Sequence, residues 1–137
     1  MRYLADTTFL IDLVNGDDGA LNLALELDAH GEKVGLSTIS VQEYLRGVYY
    51  LYHENKEKLR EKLTQAYEDI SAFHIIPYTI EIASKAAEIE VSLTKKGTLI
   101  SLPDILIAAT AIINNLTLLT RNTRDFKKIT GLTIRKY

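Results

Sequence analysis

Read for the spacing of its apolar residues, the chain switches repeatedly between two periods. Arg2 to Ala5, Lys33 to Thr38, Phe73 to Pro77, Leu116 to Thr120 and Leu132 to Lys136 are short, mostly apolar runs of strand length. Pro77 fits only at the end of its run, because proline has no N–H to give a ladder. Between these runs the apolar positions recur at helical spacing. Leu10, Leu13 and Val14 predict a short first helix, stopped by Asn15-Gly16. Asp17 and Asp18 offer caps for a second, with Leu21, Ala24, Leu25 and Ala29 as its apolar positions. Val41 to Tyr52 predicts a third, and a charged helix follows His53, from about Lys56 to Ile70. Thr79 caps another, with Ile82, Ala83, Ala86, Ile89 and Leu93 one turn apart. Leu102 to Ile113 is apolar almost all round, which predicts a central, buried helix.

Strands that alternate with helices require crossover connections, so the expected fold is α/β: a mainly parallel sheet of about five strands with helices on both faces. The 137 residues fit one domain, residues 1–137. In such a sheet ligands bind outside the carboxyl ends of the strands. The chemistry is therefore to be sought in the residues just after each strand.

Four acids stand there. Asp6 follows the first strand directly. Glu43, in Ser40-Val41-Gln42-Glu43, falls on the first turn expected for the next helix. Asp104, in Ser101-Leu102-Pro103-Asp104, opens the buried helix, and Asp125, in Asn122-Thr123-Arg124-Asp125, follows the fourth strand. The last three share one spacing: a capping side chain, two residues, then an acid. Singly, each reads as a capping box, with an acid in the first turn gaining about 0.3–1 kcal/mol from the helix dipole. As a set they read differently, since a parallel sheet brings strand ends and helix starts to one rim. Carboxylates converging there repel one another, and burying them without partners is costly. A hard divalent cation removes that cost. Mg2+ and Mn2+ prefer oxygen donors, and Mg2+ is commonly held by one or two carboxylates plus substrate phosphate.

Composition narrows the field. The chain has no cysteine, which excludes disulfides, thiol catalysis and zinc knuckles. No apolar run approaches the roughly 20 residues a bilayer requires, and Asp6 interrupts any signal-peptide core, so a cytoplasmic location is expected. The net charge of −2 hides a basic end, where Arg121, Arg124, Lys127, Lys128, Arg135 and Lys136 face the single acid Asp125. That bias is compatible with phosphate contacts, although such a charge run is more often a solvated face.

The residues around the acids resemble the PIN domain family and, within it, the VapC-type toxins of toxin–antitoxin pairs. Tyr3-Leu4-Ala5-Asp6-Thr7-Thr8 is similar to the strand-plus-Asp opening of the family. Leu36 to Gly47, carrying Glu43, resembles its second motif, Asp104 to Ala111 its third, and Leu118 to Phe126 its fourth. The resemblance implies a PIN-like α/β/α sandwich and a metal-dependent endoribonuclease using one or two Mg2+ or Mn2+ ions. It further implies Asp6, Glu43 and Asp104 as core ligands, a cognate antitoxin that blocks the site, and a homodimer. Some relatives have Asp where this chain has Asn122, so the fourth ligand is Asn122, Asp125, or both.

The expected chemistry is hydrolysis of an RNA phosphodiester. Asp6 and Asp104 are the main candidate ligands, Glu43 ligates or orients a water, and Asp125 with Asn122 helps hold any second ion. Thr7, Thr120, Arg121 and Arg124 are candidates for contacts to the RNA backbone, with Thr7 and Thr120 alternatively supporting ligands or local backbone. His30, His53 and His74 are scattered and enter no motif. The Tyr-rich helix from Val41 to Tyr52 is apolar on more than one side, which calls either for the charged helix packed over it or for a partner. Two rivals remain. A phosphoryl-transfer domain would need a second acid near Asp6, and Thr7-Thr8 supplies none. A non-catalytic PIN-like module binding RNA or a partner would need no bound metal.

Overall fold

The computed structural model describes Met1–Tyr137. Five strands, β1 (Tyr3–Ala5), β2 (Val34–Ser37), β3 (His74–Ile76), β4 (Thr117–Leu119) and β5 (Ile134–Arg135), form one sheet in the order β3-β2-β1-β4-β5. All four pairings are parallel. β1 is thus central, flanked by β2 and β4, and Ala5 pairs with both Leu36 and Leu119. Each strand lies within a run expected from the sequence. Gly35 lets β2 sit flush, since a Cβ there would stand 2.8 Å from the Ile76 side chain.

Successive strand residues point to opposite faces, and two cores result. Leu4, Ile76 and Leu118 face helices α5 (Ile80–Lys95) and α6 (Leu102–Ile113), with Phe126 from the short α7 (Thr123–Phe126). Tyr3, Ala5, Leu36 and Leu119 face α1 (Thr7–Val14), α2 (Asp18–Ala29) and Ile70 at the end of α4 (Lys56–Ile70). α3 (Thr38–Leu51) packs partly against this second core through Val41, Tyr44 and Leu45. The result is the α/β/α sandwich expected. No helix is long and apolar enough to cross a membrane.

Helix starts follow their caps. Asp17, Asn55, Thr79 and Ser101 each accept a first-turn N–H, at 3.0, 3.0, 3.3 and 3.4 Å, the bond that makes these residue types favoured caps. Two local expectations are corrected. The second strand ends at Ser37, which caps α3 through a 3.0 Å bond from the Ile39 N–H. Thr38 is therefore helical, Ser40 is a buried interior residue rather than a cap, and Glu43 falls on the second turn. In α2 the buried residues are Ala20, Leu23 and Leu27, while Leu21, Leu25 and Ala29 are exposed, Leu25 at 68%. Two apolar stripes run along this helix at helical spacing, and only one reaches the sheet.

Of the two expectations for the Tyr-rich helix, the first holds for one side of it. α4 covers one side, where the Tyr44 hydroxyl donates to Asp69 at 2.8 Å. Burial and this bond push the Tyr44 pKa up. Tyr49, Tyr50 and Leu51 remain exposed, Tyr50 at 84%.

Candidate active site

The carboxyl ends of β1, β2 and β4 lead to Asp6, Glu43 and Asp125, and the start of α6, which follows another helix, brings Asp104 to the same rim. Asp6, only 4% exposed, caps α1 and is fixed from both sides. Its Oδ1 accepts from the Phe9 N–H at 2.8 Å, and its Oδ2 from the Thr120 hydroxyl at 2.6 Å. The Thr120 oxygen in turn accepts from the Asn122 N–H at 2.9 Å. Glu43 is reached across the rim by Thr7, whose hydroxyl donates to Oε1 at 2.5 Å and lies 3.0 Å from that of Ser40. Asp104 is set on the first turn of α6 by its Ser101 cap, through a 3.4 Å bond from its own N–H. The Asn122 amide donates to Asp125 Oδ2 at 3.3 Å, and Lys128 Nζ stands 3.8 Å from the same carboxylate.

Asp6, Glu43, Asp104 and Asn122 line one cavity of about 340 Å³, with Thr7, Thr8 and Arg46 on its walls. Asp125 does not line it and holds Asn122 instead. Burial drives the Asp6 pKa from the ordinary 3.8 up to about 6; Thr120 and the Phe9 N–H oppose the rise, and the charges of Asp104 and Asp12 add to it. The Asp104 pKa is raised chiefly by burial, against the Ser101 hydroxyl, with Glu43 and Asp125 pushing it further up. Mutual repulsion thus places all four acids in one electrostatic neighbourhood.

None of Asp6, Glu43 and Asp104 is ion-paired with a lysine or arginine. No three His, Cys, Asp or Glu side chains are gathered tightly enough to form a metal-holding group. The fit for a cation therefore rests on a smaller donor set, the Asp6 and Asp104 carboxylates with water. Mg2+ is commonly held in that way.

The other sequence candidates divide. Thr120 is fully buried and serves the Asp6 carboxylate, so it offers no surface to RNA. Arg121 is engaged by Asp17 at 2.7 Å and Asp12 at 3.5 Å, and lies over the Tyr137 ring. Arg124 is exposed and free of ion pairs. Sequence reasoning missed Arg46, although its position three residues after Glu43 puts it on the same helix face. It also missed Asp12, which accepts from the Tyr137 hydroxyl at 2.7 Å, and for which no local spacing gives a signal.

The PIN domain family model matches residues 3–132 of the chain. The chain belongs to the PIN domain family. This PIN domain is 31% identical to ribonuclease VapC2 of Rickettsia felis, over 100% of its own length and 98% of that protein's. It is 36% identical to ribonuclease VapC1 of the same organism, over 98% and 95%. Among solved structures it resembles VapBC2 from Rickettsia felis bound to a promoter DNA fragment, with a TM-score of 0.83 and 30% identity, covering 100% of this chain and 99% of that one. FitAcB from Neisseria gonorrhoeae gives 0.82 at 26% identity, over 97% and 96%.

Proposed function

We propose that this PIN domain is a VapC-type endoribonuclease, hydrolysing RNA phosphodiesters with Mg2+ or Mn2+ as the toxin of a toxin–antitoxin pair in the cytoplasm. One observation carries the reading: Asp6, Glu43 and Asp104 line a single cavity at the rim of the sheet with no cationic side chain paired to any of them. Its support from outside the site is similarity to VapC ribonucleases along the whole chain.

Asp6 and Asp104 are the residues that would hold the cation, and Asn122, backed by Asp125, would add to the donor set for one ion or two. The cation supplies Lewis acidity at the phosphoryl oxygen and acidifies the attacking water. The chain does the rest. Thr120 and the Phe9 N–H lock the Asp6 carboxylate in one rotamer, and fixing ligands before substrate arrives is what makes a site effective. Thr7 occupies Glu43 Oε1, leaving Oε2 to orient the attacking water and accept its proton. Water oxygen bonds to phosphorus, the bond to the leaving ribose oxygen breaks, and that oxygen takes up a proton from solvent.

The exposed Tyr49, Tyr50 and Leu51 on α3 form a surface suited to the cognate antitoxin or to a second copy in a homodimer. Mass measurement of the protein alone and with its antitoxin tests both. The test of the activity itself is cleavage of labelled RNA. Cutting is expected with Mg2+ or Mn2+, abolished by EDTA and restored by excess metal. RNA binding without cutting under any metal would instead support a non-catalytic module.

A further inference from the structure

We propose that the Arg46 guanidinium, a solvent-exposed group and the single positive side chain on the wall of the acidic cavity, binds the phosphate that is cut. The proposal rests on the nuclease reading above and adds to it a residue that contacts the substrate. Arg46 sits one helical turn beyond Glu43 on α3 and is the only lysine or arginine lining the cavity. It is also unspent: Arg2, Arg121 and Arg135 are held by carboxylates, whereas Arg46 has none within ion-pair distance.

Charge balance gives it work. With one divalent cation bound, the cavity's three carboxylates would keep one excess negative charge, which would repel an approaching phosphodiester. Arg46 cancels that excess. Its planar fork matches two non-bridging phosphate oxygens, which an ammonium cannot do. Negative charge on those oxygens is what a positioned donor stabilises as water adds to phosphorus. Arg121, the cation that sequence position favours for this role, is neutralised by Asp12 and Asp17 instead.

The test compares wild type with Arg46→Ala and Arg46→Lys in three measurements. Single-turnover cleavage of a labelled single-stranded RNA in Mn2+ is expected to fall about 100-fold or more in Arg46→Ala, the usual loss when one such donor is removed, and less in Arg46→Lys. RNA affinity, followed in Ca2+ across salt concentrations, is expected to fall, with the log–log salt slope shallower by about 0.7, the value of one contact to a single strand. Mn2+ affinity without RNA is expected to stay level or tighten, because a positive charge leaves the carboxylates. A merely structural arginine would weaken Mn2+ binding as the cavity loosened.

Cleavage in Arg46→Ala within about threefold of a cutting wild type would overturn the assignment and leave the nuclease intact, since that is well under 1 kcal/mol. So would a drop in Mn2+ affinity parallel to the loss of cutting. If wild type binds Mn2+ and RNA without cutting the chosen strand, overlaid salt curves for wild type and Arg46→Ala would overturn it too. A wild type that binds neither Mn2+ nor RNA would sink the nuclease reading, and this one with it.

Discussion

The two faces of the sheet are stabilised in different ways. On one, α5 and α6 interlock almost entirely through aliphatic side chains: Ile82, Ala86, Ile89 and Leu93 meet Ile105, Ala108 and Ala109 over Leu4 and Leu118. On the other, the core around Phe9, Leu10, Leu23 and Leu36 is smaller, and α3 fully buries only Ser40. Polar links supplement it, from Tyr44 to Asp69, Arg121 to Asp17, and Tyr137 to Asp12. The dry face supplies rigidity, and α6 carries Asp104 from it into the cavity. The wetter face tolerates the half-buried groups, Thr7 and Glu43 among them, that complete the site. The site stands at the rim where the two faces meet, drawing Asp104 and Phe126 from one and Thr7 and Glu43 from the other.

Four substitutions sharpen or break that contrast. Asp104→Asn strikes chemistry alone: RNA cleavage is expected to fall at least about a thousandfold, roughly 4 kcal/mol of barrier. Its melting temperature should hold or rise, because a destabilised charge is removed, and a cleaving variant would remove Asp104 from the site. Ile107→Ala strikes the dry face, where the side chain is 1% exposed. Denaturant unfolding should show a loss of about 2–5 kcal/mol, and a loss near zero would mean that this face is not the scaffold.

Asp6→Asn joins the two properties. Because the folded protein holds the Asp6 proton more tightly than the unfolded chain does, stability should fall as pH rises from 3.8 through about 6, and level off above. In EDTA at pH 7 and above the Asn variant should therefore be the more stable, by at most about 3 kcal/mol, with the advantage vanishing below pH 4. Thermal melts across that range check it, and a pH-independent difference would refute the buried-charge account. Smallest is Leu25→Glu on the outer stripe of α2, which should move stability by no more than about 0.5 kcal/mol. A larger loss would mean that a partner or a second copy covers that stripe.

The sequence exposed most of this arrangement because its strongest signals are local. Five apolar runs between helical stretches could form little else than a parallel sheet, and the acids after three of its strands point to its rim, whereas Asp104 arrives there at the start of a helix that follows another helix. α5 was readable down to its buried residues because Ile82, Ala86, Ile89 and Leu93 are its single strong stripe. α2 was not, because Leu21 and Leu25 compete with Leu23 and Leu27, and periodicity does not say which stripe meets the sheet. At Ser40 a capping pattern was present and false, since Ser37 three residues earlier had already begun the helix. The contacts of Thr120 and Arg121 were not legible for another reason. Their partners Asp6 and Asp12 lie more than a hundred positions away, and no spacing rule spans that distance.

The bond from Thr120 to Asp6 joins residues 114 positions apart, and β1 completes its pairing only when β4 arrives. Contacts that distant form late, after the cost of closing the intervening chain has been met. During synthesis from the amino end, the first carboxylate emerges almost at once with its local partner, the Phe9 N–H, but Thr120 reaches its other oxygen only when the last fifth of the polypeptide is being made. The anchored form of Asp6 is thus assembled only when nearly everything else is already in place.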